Sequence, residues 1–222
     1  MPDTAPAPSP AAQIVAELVA RARAAQTIAA RYTQAELDEL VTAAGWAIME
    51  PARNKTLAEI AVRDTSLGNV PDKIDKNHRK TLGLLRDLKG AISTGVLREI
   101  PEQGITEIAR PVGIVCAVVP STNPGATPAN NIINALKCGN AVILSPSPKG
   151  VSTSAKLIEY IHTEFKRIAA PLDLVQMLPS PVTKESSSEL MKQSDVVVVT
   201  GSQANVRAGY SSGTPALGVG AG

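Results

Sequence analysis

The residues best suited to chemistry follow short apolar runs. The stretch Pro120-Ser121-Thr122-Asn123-Pro124-Gly125-Ala126-Thr127-Pro128 joins one side-chain amide to several hydroxyls on a backbone stiffened by prolines. An amide N–H held in such a loop is the kind of donor that stabilises a developing oxyanion. Asn-Pro is also a common way to start a turn, so these residues alone leave both readings open. A second stretch, Ser145-Pro146-Ser147-Pro148-Lys149-Gly150, offers hydroxyls and an ammonium to a ribose or a phosphate, and would serve equally as a turn and helix cap. A third, Thr200-Gly201-Ser202, closes an apolar run ahead of a helix whose first N–H groups suit an anion, although the G-x-G-x-x-G spacing is absent. Near the end, Gly218-Val219-Gly220-Ala221-Gly222 would let backbone approach a ligand closely.

Composition removes several other chemistries. Cys116, Cys138, His78 and His162 have neither the number of a disulfide framework nor the spacing of a usual zinc site, so no metal is expected. Twenty-two Lys and Arg against 20 Asp and Glu leave a net charge of +2, too small and too dispersed for a nucleic-acid partner or a membrane surface. One Phe, one Trp and three Tyr offer little to stack bases, and the core must be aliphatic. No window reaches the roughly 18 apolar residues of a membrane span, and the Pro- and Ala-rich start lacks the basic residues of a secretory signal. The expectation is a cytoplasmic protein with a disordered tail over residues 1–12.

The elements that must position these loops can be read from periodicity. Ile14, Val15, Leu18, Val19, Ala22 and Ala25 form one helical stripe, with Arg21 and Arg23 off it. Thr33-Gln34-Ala35-Glu36 is a capping box ahead of Leu37, Leu40, Val41, Ala44 and Ile48. Pro51 opens a third helix with Gly68 as its stop, and Leu82, Leu85 and Leu88 mark a fourth. Residues 13–95 thus read as packing scaffold. Residues 96–112 alternate apolar and polar around Pro101-Glu102-Gln103-Gly104, a β-hairpin with two wet faces that should lie against another body, such as a neighbouring subunit.

From residue 113 to 222, short β-branched runs at 114–119, 141–144, 174–178 and 196–200 alternate with helical stretches at 129–137, 152–170 and 187–192. That alternation predicts an α/β fold, a Rossmann-like parallel sheet with flanking helices, preceded by the helical segment and the projecting hairpin. Ligands of such sheets bind at the carboxyl ends of the strands, where the loops singled out above fall.

Taken in order, the blocks resemble the coenzyme A-acylating branch of the aldehyde dehydrogenase superfamily, the branch that includes the aldehyde half of bifunctional aldehyde-alcohol dehydrogenases. The matching stretches are Ala109-Arg110-Pro111-Val112-Gly113-Ile114-Val115, the Pro120 to Pro124 loop, Gly139-Asn140-Ala141-Val142-Ile143-Leu144-Ser145-Pro146, Thr200-Gly201-Ser202, and Tyr210-Ser211-Ser212-Gly213-Thr214-Pro215-Ala216-Leu217-Gly218-Val219-Gly220-Ala221-Gly222. The resemblance implies Asn123 as an oxyanion donor and a cofactor site made from Pro120, Ser121, Thr122, Ser145, Pro146, Ser147, Thr200, Gly201, Ser202 and Gly218. It implies NAD as cofactor, coenzyme A as co-substrate, a small aldehyde as substrate, and a homo-oligomer. NADP is compatible too, since no acidic residue follows the second strand and Lys149 would tolerate a 2′-phosphate.

Where hydrolytic members carry a Glu in a Leu-Glu-Leu-Gly-Gly block, this chain reads Leu217-Gly218-Val219-Gly220-Ala221. Without that carboxylate no base activates water, whereas coenzyme A reacts as its own thiolate. In the family the nucleophilic Cys lies beyond the final glycine block, so the resemblance implies a cofactor-binding part of a longer enzyme, inactive alone. Acetaldehyde, propionaldehyde, succinate semialdehyde and sulfoacetaldehyde all remain candidate substrates. A non-catalytic nucleotide-binding or assembly module on the same fold stands as the alternative.

Overall fold

A computed structural model describes residues 8–220. Residues 1–7 of the expected tail lie outside the described residues, and the rest of that expectation is corrected. Helix α1 (Pro10–Ala29) already holds residues 10–12, because Ser9 caps it by accepting the Ala12 N–H at 3.3 Å and Pro10 supplies a preset first turn. Val15, Leu18, Ala22, Ala25 and Ala29 are its buried face, whereas Ile14 is exposed. Helix α2 (Gln34–Met49) starts on the expected capping box, in which the Thr33 N–H donates to the Glu36 carboxylate at 2.7 Å. Helix α3 (Pro51–Thr65) stops earlier than Gly68, because Ser66 itself turns left-handed at φ 55°. Helix α4 (Val70–Leu88) follows.

Strands β1 (Gly95–Ile100) and β2 (Ile105–Ala109) form the hairpin. Gly104 takes φ 63° to close the turn, and Arg98 and Glu107 pair across the strands at 2.7 Å. Val96, Leu97, Ile105 and Ile108 stay exposed.

The core is a five-stranded parallel sheet made of β3 (Ile114–Val119), β4 (Ala141–Pro146), β5 (Val175–Met177), β6 (Val196–Thr200) and β7 (Ala216–Val219), in the order β5-β4-β3-β6-β7. The connecting helices are α5 (Ala126–Lys137), α6 (Val151–Arg167), α7 (Lys184–Gln193) and α8 (Gln203–Tyr210). The chain steps outward from β3 to β5, returns to β6 and steps outward again to β7. Right-handed crossovers therefore put α5 and α6 on one face and α7 and α8 on the other. Strands β3 and β4 are wholly buried, as their unbroken apolar runs require. Strand β6 departs from that expectation, being only alternately buried, and β7, at the edge, keeps Leu217 and Val219 exposed.

Polar ties hold the amino ends of the strands. Asn140 Oδ1 accepts the Gly113 N–H at 2.9 Å, and Asp195 Oδ2 accepts both the Ile114 N–H at 2.6 Å and the Arg23 guanidinium at 2.5 Å. Gly113 sits at φ 123°, and a Cβ there would run into Asp195 and Arg23. Only glycine meets both demands.

Candidate functional site

The strand order reverses between β3 and β6, so the carboxyl ends of these strands open a crevice rather than closing over each other. A cleft of about 510 Å³ lies there. Its floor is the last turn of β3 (Val118, Val119) and Ser145, Pro146, Ser147 and Pro148 at the end of β4, while α7 and α8 form the walls through Ser187, Met191, Ala204 and Ala208.

The second loop of the sequence reading thus lines the cleft. Ser145 is 3% exposed and its Oγ lies 2.8 Å from Ser187 Oγ, which ties the β4 end to α7. Ser147 donates its N–H to the Val119 carbonyl at 3.0 Å, fixing the turn. Its hydroxyl oxygen is buried and has no partner among the described residues. It is closed in beneath the turn, where it would lie 3.2 Å from a Cβ on Gly150.

The Asn123 loop sits beside this cleft rather than lining it. Its far end is clamped, since Gly125 caps α5 where a Cβ would come within 2.9 Å of Asn77 Oδ1 on α4. Asn77 in turn donates to Asn54 Oδ1 at 2.9 Å, and Asn54 donates to the Ile74 carbonyl at 2.9 Å, so a buried amide pair braces the loop from below. From the other side Gly150 presses on Pro124, where a Cβ would come within 3.2 Å of the proline Cβ. Ser121 and Asn123 are partly buried and Thr122 is exposed, with Pro120 partly buried at the strand end. Lys73 on α4 reaches the Thr122 carbonyl at 3.5 Å, and burial, with Lys76 nearby, pulls its ammonium below the ordinary lysine range.

Thr200, Gly201 and Ser202 lie at the edge of the α8 wall. The Gly201 N–H is spent on the Val219 carbonyl at 3.1 Å, and Ser202 Oγ accepts the Asn205 N–H at 3.3 Å as the helix cap. The first-turn N–H groups of Gln203 and Ala204 remain without an intrahelical acceptor, and Ala204 faces the cleft. Gly218 has a packing reason of its own. Within β7 a Cβ would come within 2.7 Å of Val206 and 3.0 Å of the Tyr210 ring, and its N–H donates to Tyr210 Oη at 3.2 Å. Residues 221 and 222 of the final glycine block lie outside the described residues.

Sequence reading predicts the helix at 187–192, which the structure extends to α7, but not its place at the cleft, which Thr183, Lys184, Ser187 and Ser188 line. The available signal was the Thr183-Lys184-Glu185-Ser186 start, which forms a capping box.

Neither cysteine has the surroundings that activate a thiol. Cys116 is buried in β3, and burial pushes its thiol up to about 12. Cys138 follows the last residue of α5, 12 residues or about 18 Å along the helix from the Asn123 loop. It is exposed, and desolvation by the surrounding chain raises its thiol against the pull of Lys137. His162 is occupied with the Val175 carbonyl at 2.9 Å and His78 is exposed on α4. No group of side chains suited to a metal exists among the described residues.

The sequence pattern of the aldehyde dehydrogenase family matches residues 4–214. The acylating sulfoacetaldehyde dehydrogenase of Cupriavidus necator is 66% identical over 212 residues, which are 96% of this chain and 43% of that protein. An acetylating aldehyde dehydrogenase from Geobacillus thermoglucosidasius superposes with a TM-score of 0.90 at 37% identity, over 96% of this chain and 47% of its own. A Rhodopseudomonas palustris propionaldehyde dehydrogenase solved with bound propionyl-CoA gives 0.83 at 27% identity, over 94% and 46%. The chain spans less than half the length of these relatives.

Proposed function

Because the chain belongs to the aldehyde dehydrogenase family, we propose that it forms the dinucleotide-binding part of a coenzyme A-acylating enzyme that oxidises sulfoacetaldehyde. The observation that carries this reading is the cleft at the carboxyl ends of β3 and β4, whose volume of about 510 Å³ is that of a small-molecule site and whose lining includes Ser145, Ser147, Thr183, Ser187 and Ser188. The choice of aldehyde leans on the 66% identical relative.

In this reading Pro146 and Ser147 border the adenosine ribose, with Ser145 as the buried support behind them. The pyrophosphate meets the open N–H groups at the start of α8, beside Thr200, Gly201 and Ser202. Pro120, Ser121 and Thr122 carry the chain to Asn123, whose side-chain amide donates to the oxygen of the tetrahedral adduct. Its bracing by Asn77 and Gly150 keeps that donor preorganised. The dinucleotide, when bound, supplies the hydride acceptor. The thiolate that attacks the aldehyde is neither Cys116 nor Cys138, and these 222 residues alone do not turn over. The acyl group leaves on coenzyme A, because the segment from Leu217 to Gly220 offers no carboxylate to activate water. The hairpin's exposed Val96, Leu97, Ile105 and Ile108 pair with a second copy of the chain.

Titration of the purified chain with a reduced nicotinamide dinucleotide, followed by fluorescence, should give saturable binding that 5′-AMP displaces. Aldehyde plus coenzyme A should give no reduced cofactor. Absence of binding would remove the cleft as a cofactor site, and turnover by the chain alone would return the nucleophile to these residues.

A further inference from the structure

We propose that Thr127 and Asn131 on α5, with Lys73 of α4 supplying the charge, hold an anionic tail on the aldehyde whose carbonyl Asn123 receives, and so determine the choice of substrate; this rests on the acylating reading given above. The polar side of α5 carries the inference. Ala129, Ile132, Ile133 and Leu136 turn that helix into the core, whereas Thr127, Asn131 and Asn134 stand on its other side at spacings of four and three residues. The stripe begins four residues after Asn123, and Thr127 and Asn131 are neighbours on one face.

A helical side chain covers the turn on the amino side of its own Cα, so Asn131 leans over Thr127 and toward the Asn123 loop. Asn131 is partly exposed, and its Nδ2 has no hydrogen-bond partner among the described residues. No contact within the described chain competes for that donor. Lys73 brings a cation to the same loop, with its Nζ 3.5 Å from the carbonyl of Thr122, the residue before Asn123. Lys76 lies close by, and neither lysine has a salt bridge among the described residues, unlike Arg79, which pairs with Asp75 on the same helix. Residues 120–137 contain no Asp or Glu to neutralise that charge. An alkyl tail would cover these polar groups without pairing them, whereas a sulfonate or a carboxylate offers each of them an acceptor. In a two-carbon aldehyde the tail sits on the carbon next to the carbonyl. It must therefore fall within about one helical turn of Asn123, the stretch that Thr127 and Lys73 flank.

Steady-state kinetics of the complete acylating enzyme that contains this chain, with sulfoacetaldehyde, succinate semialdehyde and propionaldehyde as substrates, tests the assignment. T127V, N131L and K73Q should each lower the ratio of kcat/KM for sulfoacetaldehyde to that for propionaldehyde at least about tenfold, chiefly through the KM of the anionic aldehyde. N131D keeps the shape of the side chain and adds a like charge, so it should lower the ratio further, and it keeps the test open if N131L fails to fold. Equal losses on the anionic and the neutral aldehydes would overturn tail recognition and leave these residues as supports of the Asn123 loop. A ratio indifferent to all four substitutions would overturn it as well. A larger loss on succinate semialdehyde than on sulfoacetaldehyde would keep the anionic tail and exchange the sulfonate for a carboxylate. Absence of acyl-CoA from all three aldehydes with the unsubstituted enzyme would remove the acylating reading itself, and the selectivity with it.

Discussion

Asp195 Oδ2, on the residue just before β6, accepts the backbone N–H of Ile114, the first residue of β3, at 2.6 Å. One carboxylate thereby sets how the two strands that flank the crevice begin. The Arg23 guanidinium on the same oxygen ties α1 to that joint.

Gly113→Ala should therefore be among the costlier single changes, because it meets a left-handed backbone and the Asp195–Arg23 pair together. A loss of about 3 kcal/mol in urea unfolding is expected. Asp195→Asn, which keeps an acceptor for Ile114 and gives up a half-exposed ion pair, should lose about 1 kcal/mol or less.

Glu36 supplies a pH test. The Thr33 backbone N–H, followed by the Thr33 hydroxyl, holds its carboxyl below the ordinary glutamate value. A depressed carboxyl contributes stability that is present above its unfolded pKa and fades as pH falls through the folded one. The melting temperature of wild type should exceed that of Glu36→Gln near neutrality, and the two should converge in acid below the ordinary carboxylate range.

Thiol chemistry checks the statement that no nucleophile is present. Raised pKa values mean less thiolate at a given pH, the reverse of a catalytic cysteine. Iodoacetamide at neutral pH should modify Cys138 more slowly than a free thiol and leave Cys116 untouched until denaturant is added, as read by intact mass.

Ala204 is an exposed residue of α8 that faces the cleft. Ala204→Trp should fill the cavity and weaken dinucleotide binding at least about tenfold while shifting stability by no more than about 0.5 kcal/mol. Loss of binding together with loss of the folded signal would count against this.

The hairpin can be tested by charge. Ile105 and Ile108 are exposed on β2, and replacing both with Glu should shift sedimentation toward the monomer without lowering the melting temperature. Unaltered association would place the interface elsewhere.

The core was legible because each of its features has a local cause. Residues 114–119 and 141–144 are apolar without alternation, as strands covered on both faces must be, and the hairpin announced itself through its alternation and Gly104. The Thr33 cap was readable for the same reason. What escaped depended on distant parts of the chain. Ser66 replaces Gly68 as a helix stop only because it tolerates a left-handed turn. Gly218 looked like a ligand-loop glycine, and its contact with Val206 and Tyr210 exists only once α8 folds onto β7. Lys184 and Ser188 gave no sign of facing a cleft, since their position depends on where α7 lands across the sheet.

Among the described residues strand β7 pairs with β6 alone, and Leu217 and Val219 project from one face of it at 65% and 61% exposure. An open parallel-sheet border of this kind is a template for any extended peptide, a second molecule of the same chain included. Purified alone, the protein should be lost first to concentration-dependent precipitation seeded along that border, and a charged residue at position 217 would be the first remedy.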